Sequence, residues 1–373
     1  MASNSKTKIL FVIHTLEAGG AQKVLTIVAN HLDAELFDVT ICCLQSTGGL
    51  QYLLDGRVSV LNLGYKRTYR ALWGLRKVIR EGNYSIVVSW ISYINAFLAA
   101  FRWIMPKTIL LGRESSLPSK MLVSQVDYPS IFRILYKSYK NLDGIICQSV
   151  AMKEDLIRNF SVDKNKIEII NNPVWLPDTP GSMDKETKKF LDRDGKLLLY
   201  VGRFSGEKRA HLLVEVLGEL PENYRLLLIG QGPEAAKVEQ SIRDTAVSNK
   251  VLVLENCTNP KMFYYAADCL VLSSEFEGYP NVLLEAGACG CPAVVYKTEG
   301  GAKEIINGRN GIYLEPSREV GLADFAAAIE KACSGHFDRE AIRQETADKF
   351  GVDKILPKYE KYFLQWFPTG KTS

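Results

Sequence analysis

Residues 269–295 read CLVLSSEFEGYPNVLLEAGACGCPAVV, and how this stretch folds decides how the chain folds. "CLVL" is a short unbroken apolar run of the kind that fills a strand covered on both faces. Gly278 permits a turn that residues with a Cβ resist, and Pro280 suits the first position of a helix. "NVLLEAGA" carries that helix, Gly290 is suited to cap it, and "PAVVY" restarts a strand. Strand, helix, strand is the repeating unit of a parallel sheet wrapped by helices. Glu277 falls in the loop just ahead of the helix, and Glu285 lies inside it, more than a turn along. A buried carboxylate needs charge or hydrogen bonds to meet it. The two acids flank a helix N-terminus, whose free amides and positive dipole end favour an anion. A nucleotide sugar would fit there: a phosphate for the amides, ribose hydroxyls for one acid, sugar hydroxyls for the other. A buried glutamate paired with an arginine beside an ordinary turn explains the same residues, and this stretch alone leaves the two readings level.

The same alternation runs outward in both directions. "KILFVIHTL", "FDVTICCL", "RVSVLNL", "SIVVSW", "TILLG" and "GIICQS" read as strands, with helical segments such as "ALWGLRKVIREG", "INAFLAAFRWI", "SIFRILYKSYKNL" and "VAMKEDLIRNF" between them. "KIEIINNPVWLPDTPGSMD", with three prolines, breaks the pattern and reads as a linker with a hinge near Asn172 and Pro173. The pattern restarts with "KLLLYVGRFSGEKRAHLLVEVLGEL". The expected fold is therefore α/β: two tandem doubly wound, Rossmann-like parallel-sheet domains facing a cleft, with ligands beyond the carboxyl ends of the strands. The expected domains are residues 1–175 and 176–350. Residues 351–373 form an amphipathic helix packing back toward the first domain, with Pro357 as a kink or a new start.

The totals agree. A length of 373 residues suits two domains, and 47% hydrophobic with 24% charged residues is an ordinary globular composition. A net charge of +4 gives no ground for a nucleic-acid partner. None of the eight cysteines forms a CxxC pair and no signal peptide opens the chain, so reduced cytosolic thiols are expected and a zinc site is not. "IVVSWISYINAFLAAF", residues 86–101, imitates a membrane span but falls short of the ~20 residues one needs. Asn95 interrupts it and Arg102 ends it, so it reads as a strand and a helix. Asp192 and Asp194, spaced like a metal-binding pair, precede Gly195 in what reads as a turn.

E-G-Y-P-N-V-L-L-E, residues 277–285, resembles the E-x7-E signature of retaining glycosyltransferases of family 4, which have the two-Rossmann GT-B fold. "HTLEAGGAQKVL" resembles that family's amino-terminal Gly-Gly loop and "VGRFSGEK" its phosphate-binding Arg and Lys. "IGQGPE" and "EGGAKEIINGRNGIYL" follow in the family's order, so the resemblance covers nearly the whole chain. It implies a retaining, metal-independent hexosyltransferase whose catalytic residues are Glu277, Arg203 and Lys208. The donor-binding set it implies is Gly19, Gly20, Arg203, Lys208, Glu277, Gly278, Tyr279, Asn281, Val282 and Glu285. Arg203 and Lys208 would stabilise the negative charge that grows on the departing nucleoside diphosphate, in place of a metal. Gly19 and Gly20 would close over the donor phosphates from the opposite domain, although tight strand–helix packing explains a Gly-Gly pair as well. No cofactor is implied, only the nucleotide-sugar donor, a UDP-sugar ahead of a GDP-sugar. No residue announces itself as a nucleophile, so same-face substitution is expected, with the departing phosphate accepting the proton. Two positions depart from the family: Gln22 stands where a glutamate is frequent, and Ser115 where a histidine often follows the glutamate of "LLGRESS". His14, at the end of the first strand, is the remaining histidine that could face a ligand.

Between Gly64 and Asn141 the charge is strongly positive, with Glu81, Glu114 and Asp127 the acids there. Helical spacing puts Ala71, Leu72, Leu75, Val78 and Ile79 on one face and Arg70, Arg76, Lys77 and Arg80 on the other. "IFRILYKSYK" separates Phe132, Leu135, Tyr136 and Tyr139 from Arg133, Lys137 and Lys140 in the same way. Such faces suit an anionic membrane or a pyrophosphate-bearing lipid, and equally suit ordinary core-facing helices with solvated outer sides. Members of the family that build surface polysaccharides or lipid-linked oligosaccharides use basic amino-terminal helices for the acceptor. The expected acceptor-binding residues are Lys66, Arg67, Arg70, Arg76 and Lys77, with the protein cytoplasmic and peripheral on the inner face of the plasma membrane. A small soluble acceptor, or binding of a nucleotide sugar without catalysis, are the alternatives.

Overall fold

The computed structural model of the chain describes residues 6–105, 107–124, 134–175, 184–255, 257, 259–316 and 319–367. Val174–Phe350 forms one compact unit, and the residues before and after it together form the other.

The first unit is built on seven parallel strands: β1 (Thr7–Thr15), β2 (Phe37–Ser46), β3 (Ser59–Asn62), β4 (Ile86–Ser89), β5 (Ile109–Arg113), β6 (Gly144–Cys147) and β7 (Ile167–Ile169). Their order across the sheet is β3-β2-β1-β4-β5-β6-β7. Ile9, Phe11 and Ile13 of β1 enter one core cluster, and Leu10 and Val12 on the other face are equally buried. Burial on both faces is why β1 reads as an unbroken apolar run. The helices Gly20–His31 and Val352–Leu364 share that cluster through Val24 and Val28 on the first, and Ile355, Tyr359 and Phe363 on the second. Phe363 meets Phe11 and Phe37 edge-on, each at 6.2 Å between ring centres. This helix therefore belongs to the first unit, and it runs through Pro357 as one continuous element. Its buried residues on both sides of the proline hold it to the core, and no new helix starts there.

Two further expectations are corrected here. β7 lies in what reads as the start of a linker, yet it pairs in parallel with β6, Ile167 opposite Ile145. It is three residues long, with exposed Glu168 between its two isoleucines, too short for an alternation to show. Of the helix expected over "SIFRILYKSYKNL", residues 134–136 are helical and Lys137–Asn141 tighten into a 3₁₀ turn, while residues 130–133, with Phe132 and Arg133, lie outside the described residues. The span-like segment 86–101 is a strand and a helix as expected. Its Asn95 is fully buried, accepting from Ser89 Oγ at 2.6 Å and donating to the Arg113 carbonyl at 2.8 Å. Among the described residues, no helix is long and apolar enough to cross a membrane.

The second unit repeats the plan. Its main sheet contains β8 (Lys196–Val201), β9 (Tyr224–Ile229), β10 (Val251–Leu254), β11 (Cys269–Leu272), β13 (Ala293–Tyr296) and β15 (Gly311–Leu314), all parallel, in the order β10-β9-β8-β11-β13-β15. A separate two-stranded ribbon pairs β12 (Phe276–Glu277) with β14 (Glu299–Gly300). The Val174 amide donates to the Phe350 carbonyl at 2.8 Å, tying together the points where the chain enters and leaves the unit. In each sheet the order reverses beside its first strand, between β1 and β4 in one and between β8 and β11 in the other. A doubly wound fold takes ligands in the crevice outside the carboxyl ends of those strands.

Candidate active site

The reversal point of the second sheet gathers the residues singled out by sequence. β8 ends at Val201, and Arg203 and Lys208 follow in its loop; β11 ends at Leu272, and Ser273 through Glu277 follow in the next. The Arg203 side chain is exposed and, among the described residues, has no hydrogen-bond or ion-pair partner. Lys208 Nζ donates to Glu277 Oε1 at 2.6 Å, and Ser274 Oγ donates to the same oxygen at 2.7 Å. With both bonds on Oε1, the carboxylate is oriented while Oε2 stays available.

Glu277 lies in β12 rather than in a free loop. Its carbonyl accepts from the Gly301 amide at 3.0 Å, and the Glu299 amide donates to the Glu275 carbonyl at 2.9 Å. A two-residue strand whose partner comes more than twenty residues later leaves no periodic trace, which is why the sequence reads it as loop. From there Gly278 and Tyr279 lead into the helix Asn281–Ala288, with Pro280 at its N-cap rather than its first turn. Tyr279 is turned away from the others: its ring is buried in the core, edge-on to Phe350 at 6.4 Å. It anchors the turn, so any ligand contact from it comes from its backbone. Asn281 and Val282 are half-buried at the helix start. Gly290 takes a left-handed φ of 69° just past the helix, as a capping glycine does.

Glu285 is 8% exposed, and Tyr264 Oη donates to its Oε2 at 2.7 Å. Burial and the Glu285 carboxylate push the Tyr264 phenol well above its ordinary pKa, so the tyrosine remains a neutral donor. A phenol from the helix Lys261–Ala266 is thus a protein partner of the acid that the opening stretch places among apolar residues.

The loops carrying these groups are held by backbone. A Cβ on Gly230 would stand 1.8 Å from the Gly202 carbonyl oxygen, and one on Gly232 2.3 Å from that of Phe204. The glycines of "IGQGPE" therefore let the loop after β9 press against the loop that carries Arg203. Three residues that sequence reasoning passed over complete the frame. Ser273 Oγ donates to the carbonyls of Lys208 and Arg209, each at 3.0 Å, and Arg209 Nε donates back to the Ser273 carbonyl at 2.8 Å. Arg209 holds a left-handed φ of 49°, a conformation these bonds over-determine. Thr298 Oγ1 donates to the Ser274 carbonyl at 2.7 Å. The available signal was the Ser-Ser pair directly after an apolar strand.

A free cation, an oriented acid and a helix N-terminus at the reversal point of a doubly wound sheet suit a phosphorylated, hydroxyl-rich ligand. Comparison with known proteins agrees. Residues 18–176 match the model of glycosyltransferase family 4, and residues 183–349 that of glycosyl transferases group 1. The chain is a glycosyltransferase.

It is 29% identical, over 258 residues, to the N-acetylgalactosamine-N,N'-diacetylbacillosaminyl-diphospho-undecaprenol 4-alpha-N-acetylgalactosaminyltransferase of Campylobacter jejuni, covering 68% of this chain and 70% of the relative. A second C. jejuni enzyme, a GalNAc-alpha-(1->4)-GalNAc-alpha-(1->3)-diNAcBac-PP-undecaprenol alpha-1,4-N-acetyl-D-galactosaminyltransferase, is 27% identical over 338 residues, 85% of this chain and 87% of that one. Among solved structures, Anabaena HepE in complex with UDP and glucose superposes with a TM-score of 0.77 at 19% identity, over 96% of this chain and 100% of that one. That similarity establishes the shared GT-B fold.

In the first unit of this glycosyltransferase, Gly19 is the extended N-cap of the helix Gly20–His31, and Gly20 is exposed. A Cβ on Gly19 would meet the flexible end of Gln22 at 2.5 Å, so tight strand–helix packing does not require this glycine. Ser115 stands beside buried Glu114, which accepts from the Ser115 amide at 2.8 Å, the Ser116 amide at 3.3 Å, Tyr139 Oη at 2.6 Å and Ser92 Oγ. His14 stands edge-on to Tyr93, with its Nδ1 buried and without a hydrogen-bond partner among the described residues. Lys66, Arg67, Arg70, Arg76 and Lys77 are all exposed, while Ala71, Leu72, Leu75 and Ile79 are buried, as the helical spacing requires.

Proposed function

We propose that this glycosyltransferase moves a hexose from a nucleotide-sugar, a UDP-sugar in preference to a GDP-sugar, to a lipid-linked oligosaccharide or surface-polysaccharide acceptor, with retention at the anomeric carbon and without a metal. The observation that carries the donor half is the arrangement at the ends of β8 and β11: unpaired Arg203, and Glu277 held through one oxygen by Lys208 and Ser274. Arg203 and Lys208 take the diphosphate, Glu277 Oε2 accepts hydroxyls of the transferred sugar, and Glu285 accepts those of the ribose. The amides at the start of the helix Asn281–Ala288, with Gly278, and those at Gly19 and Gly20, are further phosphate donors. As the bond from the anomeric carbon to phosphate breaks, its electron pair passes to the phosphate oxygen. The two cations stabilise that charge most where it is greatest, in the transition state. The acceptor oxygen bonds to the same face of the carbon, and its proton passes to the departing phosphate. The acceptor half rests on the two Campylobacter relatives, both named for undecaprenol-diphosphate-linked sugars, and on the exposed cations Lys66, Arg67, Arg70, Arg76 and Lys77. A position at the inner face of the plasma membrane is part of this reading.

A panel of UDP- and GDP-sugars, offered with a polyprenyl-diphosphate-linked sugar, tests this by nucleotide release, with the anomeric configuration read by NMR. One donor should release nucleotide, unaffected by a chelator. Arg203→Ala and Glu277→Ala should lower kcat/KM by roughly 10²–10³-fold, the usual cost of removing one group aimed at developing charge. Release from no donor, or a Glu277→Ala variant as fast as the parent, sinks the reading.

A further inference from the structure

The helix Leu72–Gly82 has an outer stripe that the charge count alone does not describe. Trp73, Arg76, Lys77 and Arg80 recur at the spacing that puts them on one face, and the 3₁₀ turn Thr68–Ala71 extends the stripe with Tyr69 and Arg70. Its aromatic members are held out in solvent: Tyr69 is 54% exposed and Trp73 62%. A second indole, Trp103, is 67% exposed although its neighbour Ile104 is buried and Arg102 is pinned to Asp143 at 3.0 Å. Arg76 joins the two, its guanidinium 5.8 Å from the Trp73 ring centre and its Nε donating to the Ile104 carbonyl at 3.2 Å. Nothing in the described fold covers either indole. Two large amphipathic rings kept at high exposure by well-anchored neighbours are the exception that calls for a partner. Between Gly64 and Ile104 the only acid is Glu81, against Lys66, Arg67, Arg70, Arg76, Lys77, Arg80 and Arg102.

We propose that Trp73 and Trp103, flanking Arg76, are interfacial anchors that seat the first unit on an anionic bilayer, their indoles entering the headgroup layer while the surrounding cations meet lipid phosphates. Cations alone would serve a soluble polyanion; indoles interleaved with them match the headgroup boundary, where such rings keep an apolar body and a polar edge satisfied together. The surface deepens the acceptor reading above, because an enzyme held in this way meets its lipid acceptor in two dimensions.

Sedimentation with phosphatidylglycerol–phosphatidylethanolamine vesicles tests it, without donor or acceptor, at about 0.1 M and about 0.5 M salt. Salt screens the cation–phosphate attraction but not the apolar insertion. The parent protein should bind at both concentrations, more weakly at the higher. Trp73→Ala/Trp103→Ala should lose roughly 30-fold in vesicle affinity at either salt, as burial of two part-inserted indoles requires. Arg70→Glu/Lys77→Glu should lose mainly the low-salt component. A second measurement keeps the test independent of any folding defect: brominated lipids should quench the tryptophan fluorescence of the parent protein, and Trp73→Phe/Trp103→Phe should abolish that quenching while still sedimenting. A parent protein that stays in the supernatant, a double alanine variant that sediments like the parent, or quenching that survives both phenylalanines overturns the proposal. Because no sugar is transferred in these assays, their failure is separable from failure of the donor reading, which nucleotide release reports.

Discussion

The two sheets reverse order at equivalent places, but the space beyond the strand ends is built from different material. In the first unit it is occupied by side chains that satisfy one another: Glu114 is enclosed by Ser92, Tyr139 and two backbone amides. Neighbouring Arg113 is just as buried, 4.5 Å from the Trp90 ring centre and donating to Asn172 at 2.6 Å. In the second unit it is framed by backbone, with glycine loops in contact at Gly230 and Gly232 and carbonyls gripped by Ser273, Arg209 and Thr298. A frame made of backbone leaves charged side chains to spare, and Arg203 is one. The same topology thus yields a sealed polar knot in one place and a charged receptacle in the other, and the difference lies in what the loops use for mortar.

The sharpest way to break the second frame is to give it a Cβ it cannot hold. Gly230→Ala drives a methyl into the Gly202 carbonyl, backbone against backbone, so the loop carrying Arg203 must move. Overpacking of this kind costs about 3 kcal/mol. Thermal unfolding should record that loss, and nucleotide binding should fall with it. A variant as stable as the parent would show that the loops are not in fact pressed together.

A smaller change acts on orientation alone. Ser274→Ala removes one of the two donors to Glu277 Oε1 while leaving Lys208 in place. Loss of a hydrogen bond to a charged group is worth roughly tenfold here, expected in kcat/KM for the nucleotide sugar. Affinity for the free nucleoside diphosphate should hardly change, and Ser274→Thr, which keeps the hydroxyl, should restore most of the rate. Equal losses for diphosphate and sugar nucleotide would mean that Ser274 serves folding rather than the acid.

These two frames differ in how much of them a sequence can announce. β9 and β11 are buried throughout and β1 and β8 through their middle residues, and the apolar pattern placed them because both faces are covered. The helix after Pro280 and its capping glycine were equally legible, each resting on local rules of a few residues. The frame of the second site was not. Arg209, Ser273 and Thr298 act on carbonyls of other loops, and polar residues in loops carry no periodicity to betray such bonds. Nor could the stretch around Glu285 reveal that its partner is Tyr264, because that pairing belongs to two helices meeting in space. β7 and β12 went unread for a third reason: three and two residues are too few for any pattern.

The first unit's knot offers the smallest effect, and one whose sign can be fixed in advance. Burial raises the Glu114 carboxyl above its ordinary pKa, and the hydrogen bonds from Ser92, Tyr139 and the two amides only partly oppose it. The folded chain therefore keeps this proton at pH values where the unfolded chain, with a carboxyl near its usual ~4.3, has lost it. Where the folded state binds more protons, stability falls as pH rises. Glu114 should thus contribute fully below its unfolded pKa, and that contribution should drain away as pH climbs through the raised folded value. Glu114→Gln cannot titrate, yet its amide oxygen can still accept from Tyr139 and Ser92. Denaturant midpoints measured from pH 4 upward should therefore slope less for the glutamine variant than for the parent, the two curves separating on the alkaline side of the ordinary carboxylate range. Parallel curves would mean that the four donors, not burial, govern the acid.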